Sequence, residues 1–200
     1  SMEIREAEAR YLPEQLRATM ESTGYWGAVR LVPRNTAGSE LLVRGTIVES
    51  DGEVLEVEIV AEDATGKVWL RRSYREEIEY TNYLQSGHTG NDAFQSLYNS
   101  IANDLAKLRA GLKDGETIRI RRVASLRFAS DLAPDAFDGH LKDDGGRYQL
   151  VRLPAAEDPM YHRVQAIRER DFLLIDTLNG HFDNFSREME PPYTEWRKAR

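Results

Sequence analysis

Asp51-Gly52-Glu53-Val54-Leu55-Glu56-Val57-Glu58-Ile59-Val60-Ala61-Glu62-Asp63-Ala64-Thr65-Gly66 is the stretch that decides the fold. Leu55, Val57, Ile59 and Ala61 take alternate positions; Glu56, Glu58 and Glu62 take the others with Val54 and Val60. A period of two puts one set on each face of a strand, so one face is buried and the other meets water. Asp51-Gly52 tolerates positive φ at both residues and predicts a hairpin turn before the strand. Asp63-Ala64-Thr65-Gly66 predicts a second turn after it. The strand is therefore the middle of an antiparallel meander. One neighbour lies upstream, where Leu41, Val43, Gly45 and Ile47 alternate with Leu42, Arg44, Thr46 and Val48. The other lies at 68–74. Residues 25–32 are rich in aromatic and β-branched types and stop at Pro33, which predicts a fourth strand. Residues 34–39 read as a polar loop.

Two amphipathic helices bracket this block. Ile4, Ala7, Tyr11, Leu12, Leu16 and Met20 recur at three- and four-residue steps, predicting a helix over 3–23. Pro13 predicts a kink or a fresh start within it, and Gly24 a stop. After a polar loop at 80–91, Phe94, Leu97, Tyr98, Ile101, Leu105 and Leu108 predict a helix over 92–112, capped by Asn91 or Asp92. Residues 1–111 thus read as an α+β unit: an antiparallel sheet of about four strands with both helices packed on one face.

Residues 112–200 read as a mainly helical extension. Ile120, Val123, Ala124 and Phe128 share one side of a helix over 116–129. Asp143-Asp144-Gly145-Gly146 predicts the turn of a small hairpin, flanked by 137–141 and 148–153. A long helix follows over 158–190. Pro191-Pro192 is expected to stop or break it, with helix resuming over 193–200.

Composition narrows the function. Asp and Glu outnumber Lys and Arg, 34 to 27, for a net charge of −7. Nucleic-acid backbones are gripped by Lys and Arg, so this balance argues against such a partner. Cysteine is absent, which excludes disulfides, thiolate zinc sites and a Cys nucleophile. No apolar run is long enough to span a bilayer. Ser1-Met2 has the look of a vector remnant, so the natural chain is expected to begin further upstream.

No motif assembles a catalytic or metal centre. His88, His140, His162 and His181 stand at no metal-ligand spacing. Gly87-His88-Thr89-Gly90-Asn91 precedes a helix but lacks the Lys-Ser/Thr of a phosphate loop, and reads as a connector. Adjacent Glu76 and Glu77 point to opposite faces of a strand and cannot converge. Asp143-Asp144 sits at a turn tip, where Asp serves local hydrogen bonds. No serine lies in a Gly-x-Ser-x-Gly elbow. No cofactor and no metal are expected. Arg119, Arg121, Arg122 and Arg127 form a basic cluster on one helix, which reads as a solvated face or as salt bridges to the acidic surface, with a docking patch for an acidic partner as the alternative. The long helix carries a wide apolar stripe. Ile167, Leu174 and Leu178 mark one side, and Phe172, Ile175, Phe182, Phe185 and Met189 a neighbouring one. Burial against the rest of the chain competes with contact to a partner protein or a second copy. Phe172, Phe182 and Phe185 are the candidate partner contacts.

The order of motifs carries a likeness. A helix leads to Gly24-Tyr25-Trp26-Gly27-Ala28-Val29-Arg30-Leu31-Val32, then to Glu40-Leu41-Leu42-Val43-Arg44-Gly45-Thr46. Next come Leu55-Glu56-Val57-Glu58-Ile59, Asp63-Ala64-Thr65-Gly66-Lys67-Val68 and a helix ending Ile101-Ala102-Asn103-Asp104-Leu105. Over 3–108 this resembles the amino-terminal domain of the Tol-system periplasmic propeller protein and the curli-secretion-type assembly lipoproteins. The resemblance implies a periplasmic, non-enzymatic protein of the outer-membrane envelope, lipid-anchored through an upstream Cys and preceded by a signal peptide. With the lack of catalytic signatures, the expectation is an accessory factor that binds or scaffolds other envelope proteins. Self-association is open, and contact with the membrane is expected only through the anchor. The alternative is a module for a small ligand or cell-wall fragment, held between the first unit and the extension. A hydrolase whose residues converge from distant positions stands third.

Overall fold

The computed structural model describes residues 2–32, 38–78 and 92–198. The connector at 87–91, with His88 and the Asn91 cap, lies outside them, as does most of the loop at 34–39.

Helix α1 (Met2–Ser22) runs through Pro13 without interruption. It ends where Thr23 and Gly24 donate to the carbonyls of Met20 and Glu21, with Gly24 at φ 68°. Strands β1 (Leu41–Ser50), β2 (Val54–Asp63) and β3 (Val68–Glu77) form an antiparallel sheet in the order β1-β2-β3. Helix α2 (Gln95–Ala110) follows. Leu55, Val57, Ile59 and Ala61 of β2 form one cluster with Tyr11, Leu12 and Met20 of α1 and Leu97, Ile101 and Leu105 of α2. Both helices therefore cover the same sheet face. The opposite face is a charged ladder: Arg44 lies 3.4 Å from Glu62, Arg71 3.9 Å from Glu58 and Arg75 3.2 Å from Glu56. Such exposed pairs contribute ~0.2–1 kcal/mol each and keep the face wet.

The fourth strand is a correction. Residues 25–32 are irregular, and the sheet among the described residues has three strands. Their backbone finds a side chain in place of a neighbouring strand. The Leu31 amide donates to Asn179 Oδ1 at 2.7 Å, and Asn179 Nδ2 donates to the Leu31 carbonyl at 2.9 Å. One buried carboxamide supplies the donor and acceptor that a ladder would have supplied.

Helix α3 (Glu116–Leu132), a short 3-10 turn (Pro134–Ala136), strands β4 (Leu141–Asp144) and β5 (Arg147–Leu150), and helix α4 (Pro159–Lys198) complete the chain. Gly145 and Gly146, at φ 59° and 87°, form the β4–β5 turn, and the Gly146 amide donates to Asp143 Oδ1 at 2.8 Å. Helix α4 corrects a second expectation, because Pro191-Pro192 neither stops nor breaks it. Proline φ is itself helical. The carbonyls that lose their intrahelical donors, at Arg187 and Glu188, belong to exposed residues, where water can take the bond.

The turn at 63–66 ties the sheet to α3 and the small hairpin. Buried Asp63 accepts from the Thr65 amide at 2.8 Å and from Trp69 Nε1 at 2.8 Å. Ala64 packs in one cluster with Ile120, Val123 and Ala124 of α3. The Tyr148 amide donates to the Thr65 carbonyl at 2.9 Å. Helix α4 is anchored through Val164, which packs with Leu126, Ala129 and Phe137. Arg168 reinforces it, donating to Ser125 Oγ at 2.8 Å and to the Gly38 carbonyl at 2.6 Å.

Candidate functional site: a polar cleft between β3 and α2

A cleft of about 550 Å³ opens between β3 and the flank of α2. Its origin lies in the composition of β3. The inward-facing positions of β2 are Leu, Val, Ile and Ala. The β3 residues paired with Ile59, Val57 and Leu55 are instead Arg72, Tyr74 and Glu76. These polar side chains reach the α2 flank that presents Ser96, Ser100, Asn103 and Lys107. That spacing of four, three and four residues is one helical stripe, beside the buried stripe of Leu97, Ile101 and Leu105.

Asp104 is the hub of the cleft. Its Oδ2 accepts from Tyr74 Oη at 2.8 Å and from Arg72 Nη1 at 2.9 Å, and its Oδ1 lies 3.9 Å from Lys107 Nζ. The Arg72 guanidinium stands 5.2 Å from the centre of the Tyr74 ring. Burial, reinforced by the hydrogen bond to Asp104, pushes the Tyr74 hydroxyl above its ordinary range. Tyr74 therefore keeps its proton and acts as a fixed donor. At the other end, Glu76 caps α2 from a neighbouring strand. Its Oε2 accepts the Leu97 amide at 2.8 Å, and its Oε1 accepts from Ser96 Oγ. A carboxylate there shares the Leu97 amide with the Phe94 carbonyl, 3.1 Å away, and meets the positive end of the helix. Asp92, one of the two expected caps, holds the approach to the helix by accepting the Phe94 amide at 2.8 Å.

The backbone of β3 completes the cleft. The Ile78 amide donates to the Glu53 carbonyl at 2.9 Å, which fixes the phase of the ladder. In an antiparallel pair the amide and carbonyl of one residue point to the same side, and the side alternates. Residues 72, 74 and 76 thus turn their backbone to β2. Residues 71, 73, 75 and 77 turn theirs outward, where no strand pairs with them among the described residues. From Leu70 to Glu77 the pairing with β2 is free of bulges, whereas β1 carries a register shift between Ile47 and Glu49.

The sequence-predicted candidates fall elsewhere and do not converge. Arg119 is exposed and 3.7 Å from Glu116; Arg121 is 3.2 Å from Glu40; Arg122 is exposed. Arg127 is a fastener, donating to the Ala64 carbonyl at 3.0 Å with its guanidinium 4.0 Å from the centre of the Tyr148 ring. Phe172 is half-buried, faced by the guanidinium groups of Arg30 at 4.5 Å and Arg168 at 5.1 Å. Phe182 is 39 % exposed and is available to a partner in part. The side chain of Phe185 lies outside the described residues. Buried His140 is held by its Nδ1, 3.1 Å from the Arg152 carbonyl. His162 Nε2 sits 2.9 Å from the Ala156 carbonyl. Among the described residues no three His, Asp or Glu side chains are grouped to hold a metal ion, and no helix is long and apolar enough to cross a membrane.

None of the cleft residues is a site candidate in the sequence. The one available signal is the strand at 68–77, where the positions expected to face the helices are Arg72, Tyr74 and Glu76. No known family, curated protein or solved structure matches this chain.

Proposed function

We propose that this protein is a non-enzymatic accessory factor of the bacterial envelope, periplasmic and outer-membrane-associated, that holds other envelope proteins in the cleft between β3 and α2. The observation that carries the binding reading is a bulge-free strand edge, with no neighbouring strand among the described residues, lying along a polar cleft of about 550 Å³. Exposed strand edges are reactive surfaces that attract other chains, and a helix-walled edge is a recurrent seat for extended segments. The non-enzymatic reading is supported by how the titratable groups of the cleft are spent. Asp104 is bonded to Arg72 and Tyr74, Glu76 caps a helix, and Tyr74 is held in its neutral form. General acid–base catalysis needs groups poised near the working pH and free to exchange a proton. The envelope assignment rests on the resemblance of 3–108 to the Tol and curli-secretion domains.

Co-purification of the tagged full chain from bacterial cells tests this. Envelope proteins should accompany the wild type and be lost from Ser100→Trp, which fills the cleft from an exposed position. Recovery of the same proteins with both forms, or fractionation of the chain with the cytosol, would contradict the proposal.

A small polar ligand is the second reading. The cleft volume falls within the range of small-molecule sites, and Ser96, Ser100 and Asn103 offer hydroxyl and amide groups suited to a cell-wall sugar. The cleft lies inside the first unit, and not between that unit and the extension where the sequence led us to expect a site.

A further inference from the structure

We infer that the partner enters as an extended strand that adds to the edge of β3, with an acidic residue seated at the Arg72–Lys107 end of the cleft. This inference rests on the reading of the cleft as a protein-binding site and specifies its chemistry. Three observations carry it.

The first is the outward backbone of residues 71, 73, 75 and 77, set by the Ile78–Glu53 hydrogen bond. It offers alternating donors and acceptors over a run that pairs with β2 without a bulge from Leu70 onward. The second is the wall. An incoming strand sends alternate side chains to opposite faces. One set would face α2, toward Ser100, Asn103 and Lys107, and the other would share the wet face with Arg71 and Ser73. The third is charge. At one end of the cleft Arg72 and Lys107 have side chains 61 % and 78 % exposed, and the carboxylate between them is Asp104; Arg71, on the wet face, is paired with Glu58 at 3.9 Å. Two cations around one carboxylate leave that end positive. At the other end Arg75 already bridges Glu49 and Glu56, and Glu76 caps α2. The excess of positive charge is thus local, and it favours an Asp, a Glu or a terminal carboxylate on the incoming strand.

The test uses a displayed library of random dodecapeptides panned against the full chain. Enriched peptides are then measured against wild type, Ser73→Pro, Ser73→Ala and Lys107→Glu. Proline at 73 removes an amide that points away from β2, so the sheet keeps its ladder, while alanine keeps the amide. The expected result is peptides with an acidic residue near one end, bound equally by wild type and Ser73→Ala. Ser73→Pro and Lys107→Glu should each weaken binding on the order of tenfold. Amide exchange of wild type with bound peptide is the second readout, and needs no variant. Exchange should slow at Arg71, Ser73, Arg75 and Glu77, while Arg72, Tyr74 and Glu76 stay protected throughout. Peptides that bind Ser73→Pro as well as wild type, or that leave those four amides unprotected, would overturn strand addition. If Ser100→Trp still abolished their binding, the cleft itself would stand as the protein-binding site. Failure to enrich any peptide would also overturn the inference, and co-purification would then judge the cleft separately.

Discussion

Gly66→Ala should destabilise the protein far more than Gly115→Ala, although both glycines sit at φ 82°. An L-residue in that region costs ~1–2 kcal/mol, partly offset by the lower entropy that alanine confers on the unfolded chain. At Gly115 nothing lies within 4 Å of an added Cβ, so the cost stops there, at about 1 kcal/mol. At Gly66 the same Cβ would stand 1.9 Å from the Gly146 carbonyl oxygen. The obstruction is backbone on both sides, so the turn at 63–66 and the β4–β5 turn must separate. Separation endangers the Tyr148–Thr65 hydrogen bond, worth ~0.5–1.5 kcal/mol. It also endangers the Arg127 bond to Ala64, worth ~1.5–3 kcal/mol as a charged donor. The total for Gly66→Ala is then ~3–5 kcal/mol. For a chain of this length 1 kcal/mol moves Tm by roughly 2–4 °C. Thermal unfolding followed by far-ultraviolet circular dichroism should therefore show a fall of roughly 10 °C for Gly66→Ala and roughly 3 °C for Gly115→Ala. Equal shifts would refute the idea that the contact between the two turns fastens the sheet to the hairpin.

Asn179→Ala removes both partners of the Leu31 backbone and should cost ~1–3 kcal/mol, read as a lower urea midpoint and faster proteolysis within 24–32. Phe182→Ala should cost less than the ~3–5 kcal/mol of a core phenylalanine, because the ring is 39 % exposed; a full core penalty in thermal unfolding would show the ring to be packed. The Arg30 guanidinium holds the Asp176 carboxyl below its ordinary value of 3.8. With the folded value below the unfolded one, the pair stabilises fully above the unfolded value and loses its contribution as pH falls through the folded value. The stability gap between wild type and Asp176→Asn should accordingly narrow as pH drops from about 5 to about 2, with a small amplitude because both groups are partly exposed. A gap that widened in acid would contradict the assignment.

Local patterns were legible where the partner of a residue is close in sequence or of the same polarity. The alternation of Leu55 to Ala61, the Asp51-Gly52 turn, and the apolar stripes of α1 and α2 all specify burial through spacing alone, and the sheet with both helices on one face follows from them. Residues 25–32 carry strand-like composition, yet their backbone partner is the carboxamide of Asn179, nearly 150 residues away. No local pattern encodes a side chain that replaces a strand. Pro191-Pro192 misled for a related reason, since the carbonyls it frees, at exposed Arg187 and Glu188, can turn to water, which lowers the cost of prolines inside a helix. The cleft was hidden because its residues are ordinary surface types. Arg72, Tyr74 and Glu76 become a site only when the meander turns them toward the Ser96, Ser100 and Lys107 stripe of α2. The basic residues of α3 stood out in sequence through proximity, but the helix distributes them, and Arg127 is committed to the turn at 63–66.

Partners are proposed to be held at the β3–α2 cleft. Site-specific photocrosslinking in bacterial cells tests it most directly, with the crosslinker placed at Lys107 in the cleft or at Thr46 on the opposite, wet face of the sheet; both positions are exposed. Crosslinks to envelope proteins from position 107 and none from position 46 are the predicted result. Equal crosslinking from both positions, or crosslinks from position 46 alone, would contradict the claim.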